Sequence, residues 1–139
     1  MDTTLHAPAP THASTTLPAT GECARMARRF VARILDAWGL HRMTDDAVFV
    51  TSELVTNVIV HASGSPVLDL LTVNGRIRIE VRDLSPVMPV RRTGGATGGW
   101  GLAAIEDLSA NWGAHREGGG KVVWCELETT ADDADRATA

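Results

Sequence analysis

The stretch that decides the fold is TSELVTNVIVHA, residues Thr51–Ala62. Within this largely apolar run stand one carboxylate, Glu53, and one carboxamide, Asn57, a single helical turn apart. In an α-helix, residues at this spacing lie on the same face, so both side chains could act on one ligand. Glu53 is also the only charged residue between positions 47 and 60, whereas a solvated helix face normally carries several. We therefore expect this pair to be half-buried and to face a cleft.

Length and composition fit one soluble domain, with 139 residues of which 44% are hydrophobic. The formal charge of -4 argues against attraction to nucleic acid or an anionic membrane, so we expect neither partner. No apolar run reaches the roughly 20 residues of a membrane span, and no signal peptide is visible, which predicts a cytoplasmic protein. Cys23 and Cys125 are isolated, so neither a zinc site nor a disulfide framework is indicated.

The two ends of the chain have the composition of disordered segments. Residues 1–14 are rich in Ala, Pro, Thr and His without any period, and residues 131–139 are acidic and small. Neither segment can bury enough apolar surface to offset the entropy lost on ordering. We therefore predict a single folded domain over residues 15–130.

Two helices are predicted before the first glycine-rich turn. Apolar residues recur at spacings of three and four over residues 23–38, with arginines on the other face and Gly39 as the stop. Thr44 is the expected N-cap of a second helix, which runs to about Ala62 and contains the Glu53 motif.

Alternating residues predict strands in the rest of the domain. Two runs flank Asn74-Gly75, the pair most favoured in a two-residue type I′ hairpin. Residues 111–116 and 121–127, joined across Gly118–Gly120, indicate a closing hairpin, and residues 102–109 have helical spacing. The predicted fold class is α+β, a two-layer sandwich with a mixed, mostly antiparallel sheet covered on one face by helices.

Three groups of residues are candidates for chemistry, and each has a structural alternative. Glu53 and Asn57 suit a Mg²⁺ ion shared with phosphates, or they hydrogen-bond neighbouring loops. Gly99 and Gly101 precede a helix, where backbone N–H groups can approach a phosphate, or they only ease the start of that helix. Asp83 ends a strand, where it can accept a hydrogen bond from an amine such as that of adenine, or form an Asx turn.

The same motifs, taken in order, carry a family resemblance. SELVTNVIVHA, VRDLSPVMP and GGWGLAAIEDLSANWGAHREGGGKVVWCEL resemble the Bergerat-fold ATP-binding domains of gyrase and histidine kinases. The likeness is greatest to the small bacterial serine-kinase anti-sigma factors, and it extends over residues 17–127. Its most specific part is ELVTN followed by HA.

The resemblance implies a role for each candidate. Asn57 corresponds to the Mg²⁺ ligand, Glu53 to the catalytic carboxylate that engages the attacking hydroxyl, and Asp83 to the residue that reads the adenine amine. Gly99 and Gly101 correspond to the glycines that cradle the phosphates of ATP, with Leu102 beside them.

Further positions match the family less decisively. His61 follows the family pattern, and a cation near a helix C-terminus is equally sensible in structural terms. Trp112 and Trp124 also match, and core packing explains them better than contact with a ligand. Arg91 and Arg92 could reach phosphate oxygens or lie in water.

The function implied is that of an ATP-binding regulator that binds a sigma factor and phosphorylates a serine of an antagonist protein. The alternative is a non-catalytic partner-switching module, and either could be a homodimer. One departure is Ser85-Pro86 after Asp83, where histidine kinases carry DxGxG. Because no dimerisation helix with a phospho-accepting histidine is visible, we do not expect a complete histidine kinase.

Overall fold

Two long helices and five strands make up the part of the chain that the structure describes. This computed structural model describes residues 11–59, 64–84 and 105–129. In chain order, the elements are β1 (His12–Thr16), α1 (Cys23–Ala37), a 3₁₀ turn (His41–Met43), α2 (Thr44–Ile59), β2 (Val67–Val73), β3 (Arg76–Asp83), β4 (Asn111–Glu117) and β5 (Gly120–Glu128). Residues 105–108 are also helical. Neither long helix is apolar and extended enough to cross a membrane.

The strands form one sheet in the order β1-β2-β3-β5-β4. All four pairings between these described strands are antiparallel, where a mixed, mostly antiparallel sheet was expected. The predicted α+β class with helices packed on a largely antiparallel sheet is confirmed. The central position of β3, between β2 and β5, places Asp83 at the end of an inner strand.

The edge strand β1 corrects the prediction of disorder for residues 12–14, while residues 1–10 of the same predicted segment lie outside the described residues. Residues 12–14 belong to β1, which pairs along β2 from His12 with Leu71 to Thr16 with Val67. His12 Nε2 and Asp69 Oδ1 lie 2.7 Å apart across the two strands. The composition of this segment concealed the strand because pairing with β2 supplies the partners that its own sequence lacks. Residues 131–139 lie outside the described residues.

Helix α1 has the predicted extent, and α2 begins where expected. Gly39 follows α1 with φ +75°, a left-handed conformation that favours glycine at a helix end. Thr44 is not an N-cap, because its φ of -59° and ψ of -47° are helical. The 3₁₀ turn leads directly into α2, so no capping residue separates them. The predicted end of α2 at Ala62 lies outside the described residues.

Both predicted hairpins are present. The first turns at Asn74 and Gly75, whose φ angles of 51° and 76° are the positive values that a type I′ turn requires. The second turns at Gly118 and Gly119, which also have positive φ, while Gly120 already belongs to β5. These turns fix the register of the sheet and hence which side chains face the helices.

The helices and one sheet face enclose the hydrophobic core. On β3, Ile77, Ile79 and Val81 are fully buried, and helix α2 packs against β3 and β5. On the other sheet face, the guanidinium of Arg78 lies 4.0 Å from the ring centre of Trp124. Trp124 is therefore not a core residue as expected, whereas Trp112 does pack against the core.

We predict that Asn74→Ala lowers the free energy of unfolding by about 1 kcal/mol, because alanine has no side chain that supports a left-handed conformation. Urea denaturation measures the change. Asn74→Gly is the matched control and should remain within a few tenths of a kcal/mol of wild type, since glycine adopts positive φ readily. Equal stability of all three proteins would show that this turn does not constrain the hairpin.

Candidate functional site

One flank of α2 carries the polar pair Glu53 and Asn57. Both side chains are half-buried on a helix, as the sequence predicted. The neighbouring positions are almost completely buried, namely Thr51, Leu54, Val55 and Val58. The pair therefore lies at the border between the core and the surface of α2, where a ligand can reach a side chain held by a packed helix.

The Asn57 carboxamide has unused hydrogen-bonding capacity. Its Nδ2 atom is buried and has no hydrogen-bond partner among the described residues. Leaving such a group unpaired costs about 1–3 kcal/mol, so a ligand that accepts its hydrogen bond would be favoured. The Oδ1 atom is the hard oxygen ligand that Mg²⁺ accepts. These properties fit a residue that contacts both a cation and a phosphate.

Glu53 is a half-buried carboxylate on α2. Within residues 11–59, 64–84 and 105–129 it forms no ion pair or hydrogen bond. The adjacent Ser52 accepts a hydrogen bond of 3.1 Å from Arg28 Nη1, which ties α2 to α1. In the described residues no three His, Cys, Asp or Glu side chains cluster to hold a metal. A Mg²⁺ ion here would therefore depend on Asn57, water and phosphate oxygens, which is how this ion usually binds.

Asp83 lies at the end of β3 in a buried ion pair with Lys121 of β5. The Lys121 Nζ atom is 3.2 Å from Asp83 Oδ1 and 3.1 Å from Oδ2. The Asp83 side chain is 0% exposed and that of Lys121 is 3% exposed. The two residues are direct cross-strand partners, so the sheet register itself brings them together. The buried Asp83 carboxylate is thereby paired with a cation inside the protein.

The backbone approaches very closely beside this pair. A Cβ atom on Gly120 would lie 2.0 Å from the backbone oxygen of Asp83 and 2.8 Å from Leu84 Cα. Both obstacles are backbone atoms, which cannot rotate aside as a side chain can. Glycine at position 120 therefore permits the contact between β5 and the end of β3 that sets the position of Asp83.

Three of the predicted site residues lie on elements that pack against each other. Glu53 and Asn57 are on α2, and Asp83 is on β3, against which α2 packs. The other predicted site residues, Gly99, Gly101 and Leu102, lie outside the described residues, as do His61, Arg91 and Arg92.

The two cysteines do not contribute a nucleophile. Both are buried and free. Burial raises the pKa of Cys125 to about 12. Burial also raises the pKa of Cys23. Because the thiolate is the reactive form, these cysteines are inert packing residues at neutral pH.

Sequence reasoning missed Lys121 and Gly120 as parts of the site. A signal was present, because Val123, Cys125 and Leu127 alternate as the buried face of β5 and extend back to Lys121. A charged residue on the buried face of a strand requires a partner. Pairing that strand with RIRIEVRD would have identified Asp83.

A model of the histidine kinase-like ATPase domain family matches residues 17–127. The chain belongs to this family. The match extends over both helices and strands β2 to β5, so the family predicted from the sequence motifs is confirmed. No curated protein sequence matches the chain significantly.

Solved structures share the fold of this ATPase-family chain. The crystal structure of the RsbU and RsbW domains of Rv1364c from Mycobacterium tuberculosis is 24% identical, with a TM-score of 0.65. The match covers 86% of this chain and 32% of that chain, so this protein spans about a third of its neighbour. The nucleotide-free catalytic domain of histidine kinase ThkA is 16% identical, with a TM-score of 0.54 over 88% and 99% of the two chains. The Acinetobacter baumannii histidine kinase AdeS is 12% identical, with a TM-score of 0.51, and the match covers 84% of this chain and 68% of that chain.

We predict that Gly120→Ala lowers the free energy of unfolding by about 1–3 kcal/mol, the usual cost of overpacking a tight contact. Thermal or urea unfolding measures the change. Gly21→Ala is the matched control, because a Cβ there meets nothing within 4 Å and the position does not require glycine. A Gly120→Ala protein as stable as this control would contradict the close approach described for β3 and β5.

Proposed function

We propose that the protein is an ATP-binding regulator of the anti-sigma type, which binds a sigma factor and phosphorylates a serine of an antagonist protein. The observation that carries the nucleotide site is the buried Asp83 carboxylate on β3, beneath a helix with a half-buried Glu53 and Asn57. Membership of the histidine kinase-like ATPase family supports ATP as the nucleotide. The resemblance of the sequence motifs to serine-kinase anti-sigma factors supports the regulatory role.

Each side chain has a chemically suitable task in this proposal. Asp83 accepts a hydrogen bond from the exocyclic amine of adenine. Asn57 would bind both the ion and the phosphates, with Oδ1 as a ligand for Mg²⁺ and Nδ2 as a donor to a phosphate oxygen. Mg²⁺, when bound, neutralises charge on the phosphates. Gly99, Gly101 and Leu102 are proposed to complete the phosphate cradle.

In the transfer step, Glu53 accepts the proton of the attacking serine hydroxyl. The serine oxygen of the antagonist forms a bond to the γ-phosphorus, and the bond from that phosphorus to the bridging oxygen of ADP breaks. Glu53 engages the hydroxyl and takes its proton. Catalysis of this kind depends on positioning and charge stabilisation, which suits a carboxylate fixed on a packed helix.

The direct test incubates the protein with γ-labelled ATP, Mg²⁺ and purified candidate antagonist proteins. The proposal predicts label on an antagonist serine and binding of a sigma factor by the same protein. If ATP and a sigma factor bind but no antagonist acquires label, the protein is a non-catalytic partner-switching module. Absence of ATP binding would contradict the nucleotide site itself.

We predict that Asn57→Ala weakens Mg²⁺-dependent ATP binding by about tenfold or more while the protein stays folded, because the side chain serves the ion and phosphates. Calorimetry with and without Mg²⁺ measures the effect, and circular dichroism monitors folding. Thr56→Ala is the matched control, since Thr56 is exposed on the same helix. Unchanged affinity in folded Asn57→Ala protein would remove this residue from the site.

We predict that Glu53→Gln reduces phosphoryl transfer by about 10²- to 10⁴-fold, the usual contribution of a positioned general base. ATP affinity should stay within about threefold of wild type, because the lost interaction matters mainly in the transition state. Asp46→Asn, at an exposed position in the first turn of α2, is the control for charge loss. Loss of binding together with transfer would instead make Glu53 a binding or structural residue.

A further inference from the structure

The ion pair between Asp83 and Lys121 involves the only lysine of the chain, which otherwise has twelve arginines. Its Nζ atom contacts both carboxylate oxygens at nearly equal distances, 3.2 Å and 3.1 Å. A cation held between both oxygens limits rotation of the carboxylate about its Cβ–Cγ bond. Gly120 also brings the β5 backbone against the backbone of Asp83. This contact restrains the main chain that carries the carboxylate.

Stability alone does not explain why a lysine is buried here. Removing an ammonium and a carboxylate from water is costly, and an apolar pair of similar volume is often as stable or more stable. The pair does, however, favour Asp83 as an acceptor of hydrogen bonds. A buried carboxylic acid without a cation tends to be neutral, and its O–H group then donates a hydrogen bond. In this structure both carboxylate oxygens of Asp83 instead face the ammonium of Lys121 as acceptors.

The Asp83 carboxylate has more acceptor positions than one ammonium group can use. An ionised carboxylate has about four lone-pair positions, and one ammonium cannot occupy all of them. In the proposed complex, the exocyclic amine of a base donates to one of the Asp83 oxygens while the ion pair persists. A base without the amine offers no donor at that point.

We propose that Lys121 is a positioning residue for base selection, which acts through Asp83 by pairing with its carboxylate and holding it oriented towards the exocyclic amine of adenine. This inference rests on the proposed function and deepens it, since it adds the residue that maintains the selectivity of the nucleotide site. Lys121 itself need not touch the nucleotide.

The test measures affinity for two nucleotides, ATP and purine riboside 5′-triphosphate, which carries hydrogen in place of the amine. The ratio of their dissociation constants is the selectivity. In Lys121→Met protein this ratio should fall by about 10- to 100-fold, the value of a hydrogen bond to a charged group. Lys121→Arg keeps the cation and should remain within about threefold of wild type. A purely structural role would instead weaken both nucleotides equally.

Two further proteins control for charge loss and for folding. Arg78→Met removes a cation that hydrogen-bonds Glu80 and Glu126 on the opposite sheet face, and its selectivity should equal that of wild type. Asp83→Asn/Lys121→Met leaves no unpaired buried charge, so it keeps the test valid if Lys121→Met does not fold. Its selectivity should equal that of Asp83→Asn, because Lys121 acts only through the carboxylate.

Each outcome decides the inference. Wild-type selectivity in folded Lys121→Met, or equal weakening of both nucleotides, overturns it. A further loss of selectivity when Lys121→Met is added to Asp83→Asn also overturns it, since Lys121 would then contact the base directly. Wild-type protein that binds no ATP would contradict the proposed function as well. Wild-type protein that binds ATP while folded Lys121→Met keeps wild-type selectivity would contradict this inference alone.

Discussion

The packing of α2 on two sides is the constraint on which the rest of the structure depends. The helix contacts α1 on one side and strands β3 and β5 on another. Its buried residues are therefore spread widely around the helix, and few positions remain for polar side chains. Glu53 and Asn57 occupy the half-buried border of the helix, so their position follows from the packing of their neighbours.

The same packing explains how a carboxylate can be buried at Asp83. Helix α2 and the sheet exclude water from the core face of β3, which would make an isolated charge very unfavourable. The antiparallel register places Lys121 directly opposite, and its ammonium compensates that charge. Truncating either partner alone would leave an unpaired buried group, whereas replacing both would not. The polar chemistry of the site is thus built into the sheet register.

Much of this architecture could be predicted from the sequence because its signals are local. Alternation around Asn74-Gly75 gave the first hairpin, and the spacing that ends at Gly39 gave α1. The residues of the site, in contrast, are brought together by contacts between distant parts of the sequence. Lys121 and Asp83 are far apart along the chain and meet only through strand pairing, and β1 forms only because β2 offers an edge. Trp124 was misplaced because it was assigned to the core as a large aromatic residue, although the alternation of Val123, Cys125 and Leu127 puts it on the opposite face of β5.

The most direct test of the account is a crystal structure of the protein with Mg²⁺ and a non-hydrolysable ATP analogue. The account predicts that the exocyclic amine of adenine lies within about 3.2 Å of the Asp83 carboxylate, a normal hydrogen-bond distance. It also predicts that Asn57 Oδ1 coordinates the metal while Lys121 remains paired with Asp83. A nucleotide bound elsewhere, or an adenine ring that does not contact Asp83, would contradict the account.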